Sequence, residues 1–201
     1  MRRVPAWALL AAVCAPVLLV GAWSVAGVLQ GPGYDPATTT ISVLAAHGAP
    51  GYWLMTVALL ALGTCYMAIA AGLRPAAGAG RAALAGGGAS AMGLTLVPAP
   101  LKGGDLGHGT VATTGFVLLA LWPVLAADRS GVRVPWGLRP RVCAGATAAM
   151  AAGAVLLLGS LLGGWAPGVT ERALTFAQAL WPLLVVLSCR WSAWTTAESP
   201  G

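Results

Sequence analysis

The sequence predicts an all-α polytopic membrane protein: a bundle of six transmembrane helices plus one short outer helix, interfacial or re-entrant. Three observations carry this. Apolar residues make up 58% of the chain and charged residues 8%, whereas soluble domains are about 25% charged. The apolar residues gather in six runs, each near the roughly twenty residues a helix needs to cross a bilayer. Nothing alternates with period two, which argues against a transmembrane barrel, and the helix is the open-chain structure that pairs its backbone groups internally in hydrocarbon. No stretch is polar enough to fold as a separate soluble unit, so residues 1–201 are expected to form a single integral membrane domain.

The first run, about 5–29, follows Arg2 and Arg3. It exceeds the 7–15 apolar residues of a signal peptide, so it is expected to stay as an uncleaved helix, and Arg2-Arg3 as a twin-arginine signal adds nothing to a multi-span chain. Residues 30–53 then form the longest and most polar break. Asp35-Pro36 reads as a helix start, with Asp accepting from free N–H groups and Pro lacking a donor it would not use. His47-Gly48 reads as the end. Ile41, Leu44, Ala45 and Gly48 share one face and Thr38, Thr39 and Ser42 the other. About eleven residues is too short to span, so an amphipathic helix is expected, lying in the interface or dipping into the bundle.

The second run, about 52–73, ends at Arg74-Pro75, and the third, about 82–100, ends in Val97-Pro98-Ala99-Pro100. A loop with Lys102, Asp105 and His108 leads to the fourth, about 108–127. A basic loop with Arg129, Arg133, Arg139 and Arg141 precedes the fifth, about 142–164, and the sixth is about 173–191. Small residues four apart predict close packing: Gly145, Ala149 and Gly153, then Gly159 and Gly163 on the fifth helix, and Gly86-Ser90 and Ala89-Gly93 on the third. Trp181-Pro182 predicts a kink in the sixth, since Pro removes a ladder bond.

Basic residues set the expected orientation. Arg2, Arg3, Arg74, Arg81, Arg129, Arg133, Arg139, Arg141 and Arg190 fall on one side, Lys102 and Arg172 on the other. The positive side is cytoplasmic, which puts both termini inside a plasma membrane and Asp35, Asp105 and Glu171 outside. The net charge of +6 is thus a topology signal, with some attraction to anionic lipid, and does not imply nucleic acid. Trp7, Trp191 and Trp194 mark the inner boundary and Trp23, Trp53 and Trp165 the outer one. Trp122 and Trp181 read as packing residues. Cys14, Cys65, Cys143 and Cys189 fall in the cytoplasmic halves of their helices without CxxC spacing, and read as small buried hydrophobes.

Residues with chemical potential converge on the outer side: Tyr34, Asp35, Ser42, His47, Asp105, His108, Glu171 and Arg172. Glu171, Thr175 and Gln178 form a polar stripe running inward along the sixth helix, and Thr110, Thr113 and Thr114 a similar one on the fourth. Polar side chains at membrane depth face the bundle, so an outward-open polar cavity is expected, roofed by the 35–47 helix. Ser42, His108 and Asp105 (or Asp35) have the residue types of a nucleophile, base and orienter, against a plain reading of caps and loop hydrogen bonds. No G-x-S-x-G surrounds Ser42. Two histidines outside any zinc-binding string do not make a metal site, and His108 at a helix end does not suit haem. No metal or other cofactor is expected. Glu171-Arg172 opens the sixth helix, with Glu favoured by the helix dipole and Arg172 expected to pair with Asp35 or Asp105.

Gly-Tyr34-Asp-Pro36 followed by Ile41-Ser42-Val-Leu44, Leu73-Arg74 closing the second helix, Pro98 then His108-Gly109, and Gly168-Val-Thr-Glu171-Arg172 carry a resemblance. Together they resemble the bacterial six-helix membrane family catalogued as domain of unknown function 998. The resemblance covers nearly the whole chain. In that family the segment before His-Gly often carries Phe-Pro with an acidic residue; here it is Val97-Pro98, with Asp105 seven residues on. The resemblance implies the fold and a bacterial inner-membrane setting, and supplies no activity or cofactor.

Three functions compete. The first is a non-enzymatic protein whose outer pocket, near Tyr34, Asp35, His47, Glu171, Arg172 and Gln178, binds a lipid headgroup, a small ligand or a partner protein. The second is an intramembrane hydrolase using Ser42 and His108 with an acidic partner. The third is a small transporter, against which stand the lack of a repeat between the two halves and of an intramembrane charge pair. The sequence sets no oligomeric state.

Overall fold

The computed structural model describes residues 4–131 and 134–195, with side chains as far as Ser192. Arg2, Arg3 and Arg133 lie outside the described residues, as does the side chain of Trp194. The elements are α1 (Ala6–Leu29), α2 (Ile41–Leu44), α3 (Tyr52–Gly72), α4 (Gly78–Gly93), α5 (Leu106–Ala126), a 3₁₀ turn (Trp136–Leu138), α6 (Pro140–Gly163) and α7 (Pro167–Thr195). The described residues contain no strand. Among the described residues five helices, α1, α3, α5, α6 and α7, are long and apolar enough to cross a membrane.

Each long helix packs on its neighbour in the chain, with α4 between α3 and α5, and α7 closes the bundle against α1. Hydrogen bonds fix which ends meet. At the end near the chain termini, Arg190 donates to the Val4 carbonyl at 2.9 Å, the Ala77 N–H to Ala126 at 3.2 Å, and the Asp128 N–H to Leu138 at 2.9 Å. Arg81 joins them by donating to the free carbonyls of Ala70 and Ala71 at the end of α3. At the other end, the loop end, the His108 imidazole meets the Val97 carbonyl and the 34–40 loop meets α7.

Three elements differ from the sequence expectation. The third run forms α4 four residues earlier than expected and stops at Gly93. Residues 94–97 are turns and bends, and Pro98 and Pro100 cannot extend a helix. Sixteen residues span about 24 Å, short of a hydrocarbon core of about 30 Å. Nevertheless the 77–97 segment runs from one end of the bundle to the other, from the Ala77 bond to the Val97 bond. The sixth run begins at Pro167 rather than near 173, so Glu171 sits beyond the first turn of α7. The expected helix over 35–47 is reduced to the four residues of α2, preceded by turns.

The glycines that bring helices together are on α3 and α4. A Cβ on Gly63 would collide with the Gly88 carbonyl oxygen, and one on Gly88 with that of Gly63, so these two backbones touch. The small-residue rows of α6 do not act this way: Gly145 and Gly159 face open space and Gly153 meets only the Leu174 side chain. Trp122 is fully buried and Trp181 half-buried, both with indole N–H groups that lack a partner among the described residues, whereas Trp7, Trp53, Trp165 and Trp191 are exposed near the helix ends. α7 remains helical through Pro182. All four cysteines are free.

Candidate functional site

The site begins with the way the 34–45 loop meets the start of α7. A helix over 35–47 would need the Ile41 N–H to bond the Ala37 carbonyl four residues back. Both groups are engaged elsewhere. The Ala37 carbonyl accepts from Gly168 N–H at 2.9 Å and, at 3.3 Å, from Val169 N–H, which it shares with the Ala166 carbonyl at 3.1 Å; both are among the first N–H groups of α7, which lack the usual acceptor four residues back. The Ile41 N–H donates to Glu171 Oε2. The loop carbonyl therefore caps α7, and α7 in return captures the loop N–H. This exchange explains why the sequence signals at Asp35-Pro36 and Gly48 do not enclose one helix, although Gly48 has φ 86° as a helix-ending Gly would.

Arg172 fastens the same junction. Its Nη1 donates to the carbonyls of Pro36 at 2.8 Å, Thr39 at 2.9 Å and Gly168 at 2.9 Å. Its Nη2 donates to the Tyr34 hydroxyl at 2.6 Å. The Tyr34 ring lies against Gly27, where a Cβ would meet it at 2.9 Å. The expected pairing of Arg172 with Asp35 or Asp105 is not formed among the described residues. Asp35 is exposed and closes its own turn, accepting from the Ala37 N–H at 2.9 Å and the Thr38 hydroxyl at 2.8 Å. These two bonds, the Ala37 N–H foremost, hold its carboxyl below the ordinary value of 3.8. Asp105 is the N-cap of α5, accepting from the His108 N–H at 2.7 Å. Exposed carboxylates satisfied by local donors and water need no arginine, whereas the carbonyls of the 36–39 turn lean on α7 and do.

Glu171 is 6% exposed. Besides the Ile41 N–H it accepts from the Ser42 hydroxyl at 3.0 Å. Ser42 is thus committed to a carboxyl, not to an imidazole. The His108 ring bonds the Val97 carbonyl through Nδ1 at 2.9 Å. A carbonyl only accepts, so Nδ1 carries the proton and Nε2 of the neutral ring presents a lone pair. Asp105 holds the His108 backbone rather than its ring. The nucleophile–base–orienter arrangement of Ser42, His108 and Asp105 is therefore absent from the hydrogen-bond pattern. His47 is exposed and stacks on Tyr52, ring centroids 4.5 Å apart. Among the described residues no group of three or more His, Cys, Asp or Glu side chains is placed to hold a metal.

Beneath α2 lies a central cavity of about 100 Å³ enclosed by α1, α3, α4, α5 and α7. Ile41, Ser42 and Ala45 roof it, Met55, Leu62, Tyr66 and Leu119 form its apolar walls, and Glu171, Thr175 and Gln178 descend along one side. Gln178 is 1% exposed. Its Nε2 donates to the Phe116 carbonyl at 3.0 Å, which fixes the amide's orientation because that carbonyl cannot donate. Its Oε1 has no partner among the described residues. A second hollow, about 520 Å³, lies between the loop-end halves of α5 and α6. Ser42, His108, Phe116 and Glu171 line both spaces, and among the described residues neither has a Lys or Arg in its wall.

The structure thus brings together Ser42 with Glu171 and Tyr34 with Arg172, places Gln178 deeper along the same helix, and leaves Asp35, His47 and Asp105 outside the cavity roof. The roles of Ile41 and Ala37 were not readable in advance, because backbone groups carry no side-chain signature. The polar stripe at 171, 175 and 178 is the one sequence feature that marked the cavity wall.

The fold and this site define a class: a multi-pass, all-α membrane protein without a recognisable catalytic or metal constellation among its described residues. Residues 6–188 match the family described as protein of unknown function (DUF998). The chain belongs to that family, a bacterial family of membrane proteins. No curated protein and no solved structure matches it.

Proposed function

We propose that this protein is a non-enzymatic ligand-binding membrane protein whose central cavity takes a small hydrogen-bond-donating group from the outer side. In this reading the chain crosses the membrane six times as a single domain. The 77–97 segment makes the crossing that α4 alone is too short for, held between two full-length helices. Arg74, Arg81, Arg129, Arg139, Arg141 and Arg190 lie toward the end of the bundle near the termini, so that end faces the cytoplasm of the inner membrane and the 34–49 loop faces out.

The observation that carries the reading is Gln178 Oε1: an acceptor 1% exposed at the residue level, without a donor, in the wall of a cavity. Buried acceptors are nearly always satisfied, and one left bare costs about 1–3 kcal/mol. A ligand donor removes that cost. Asp105, Glu171 and His108 line the two adjoining spaces, with no Lys or Arg among the described lining residues, so a neutral donor is favoured, and a cation is tolerated better than an anion. The hydrolase reading has no Ser42–His108 hydrogen bond among the described residues to support it.

Ala112 lines both spaces, and a cysteine there tests the reading. Impermeant thiosulfonate reagents, one carrying trimethylammonium and one sulfonate, are added to intact cells beside the wild type as background. The ammonium reagent is expected to modify Ala112→Cys about tenfold faster, equivalent to about 1.4 kcal/mol. No reaction from outside, or equal rates, contradicts the reading.

A further inference from the structure

The second hollow adjoins the central cavity from the side, the two sharing wall residues. Its walls between α5 and α6 include Phe116, Val117, Val155, Leu158 and Leu161. Val155 is 70% exposed and Leu158 57%, on a helix long and apolar enough to cross a membrane, so these faces meet hydrocarbon. About 520 Å³ lies within the roughly 300–1,000 Å³ of ligand-holding sites. An aliphatic chain can therefore lie in the groove without leaving the bilayer.

The inner end of the groove is different. There Ser42, His108, Phe116 and Glu171 belong to both spaces. The Phe116 carbonyl is also the partner of Gln178, so the bare Oε1 is next to the junction. The chemistry of this end selects the head. A phosphate or carboxylate would be brought beside Asp105 and Glu171 with no Lys or Arg in the wall, a desolvated charge without a partner. An ammonium would lose its water against a mostly apolar cavity and find the Glu171 oxygens already holding Ile41 and Ser42. A hydroxyl needs one acceptor and carries no charge. Gln178 Oε1 and His108 Nε2 are acceptors of that kind.

We propose that the groove between α5 and α6 holds the aliphatic chain of a neutral lipid alcohol, whose hydroxyl reaches the central cavity and donates to Gln178 Oε1. The proposal rests on the reading of the central cavity as a ligand site. The alcohol enters laterally from the outer leaflet, chain in the groove and head first into the cavity, under the loop that Arg172 and Glu171 hold in place.

The test uses purified full-length protein in bilayer discs and three diazirine probes with the same straight saturated chain, ending in a hydroxyl, a carboxylate or an amine. Crosslinked peptides are read by mass spectrometry. The alcohol is expected to label the 112–117 and 154–161 segments about tenfold more than either charged probe. Val155→Trp and Leu158→Trp, substitutions at exposed positions that leave the packed interior alone, are expected to cut this labelling by a similar factor. Equal labelling by all three probes overturns the proposal, as does labelling spread over the outward faces of α1 and α3 and indifferent to the Trp substitutions. Alcohol labelling at background, with Ala112→Cys still favouring the ammonium reagent, removes the lipid alcohol and leaves the cavity reading standing. Loss of both removes the two together.

Discussion

Glu171 is the residue on which the loop depends. Its two oxygens hold one backbone N–H and one hydroxyl from the same turn, and each group left buried without an acceptor costs about 1–3 kcal/mol. Glu171→Leu is expected to destabilise the protein by about 2–4 kcal/mol in thermal unfolding, and Glu171→Gln, which keeps one oxygen, by about 1. A Leu variant as stable as wild type would mean that the loop does not rest on this carboxyl. Asp35 shows the opposite case, an exposed group with a local task. Its carboxyl is held below the ordinary 3.8 by the Ala37 N–H and Thr38 hydroxyl, so its contribution is present above the unfolded value and lost as pH falls through the folded one. The stability difference between wild type and Asp35→Asn is expected to stay constant above about pH 5 and to shrink below about pH 4. A difference unchanged down to about pH 2 would contradict the turn's dependence on the ionised form.

At the scale of elements, the junction between the 34–45 loop and α7 is mutual capping. Arg172→Ala is expected to cost about 2–4 kcal/mol, because it removes charged donors from three carbonyls and the Tyr34 hydroxyl. Arg172→Lys, a compact charge without the planar fork, recovers only part. Gly168→Ala presses a Cβ onto the Pro36 and Thr39 carbonyls and is expected to cost about 1–3 kcal/mol. Faster amide exchange across 36–45 in each variant locates the effect, and exchange unchanged there would contradict the docking. This junction also shows what the sequence made legible. Spacing alone puts Ile41, Leu44, Ala45 and Gly48 on one face; the first three are buried, whereas Gly48 is exposed. The continuous helix around them did not form, since α7 takes the backbone groups that would have closed it. The run of apolar residues located the third segment but not its ends, because Gly and Ala satisfy an apolar count while Pro98 and Pro100 decide where a helix stops. The four-residue spacings did not locate the close approach on either helix: Gly86 and Gly93 of α4 meet only the Leu118 and Val111 side chains, and the glycine that meets Gly63 across the interface is Gly88, outside both expected pairs.

For the whole molecule, ends and cavity belong together. If the arginine-rich end faces the cytoplasm, a reporter active only there is expected to be active when fused after Gly201 and silent when inserted near Ala37. Activity at Ala37 would invert the bundle and put the cavity roof inside. On the proposed reading, the cavity beneath the 34–49 loop is a ligand site built around an unpaired acceptor. A structure determined in lipid bilayers, at a resolution that shows bound molecules, tests it most directly. Non-protein density is expected in the cavity with a donor about 2.7–3.2 Å from Gln178 Oε1, continuous with a chain between α5 and α6. A closed cavity, or a Gln178 amide turned to satisfy both its ends within the protein, would contradict it.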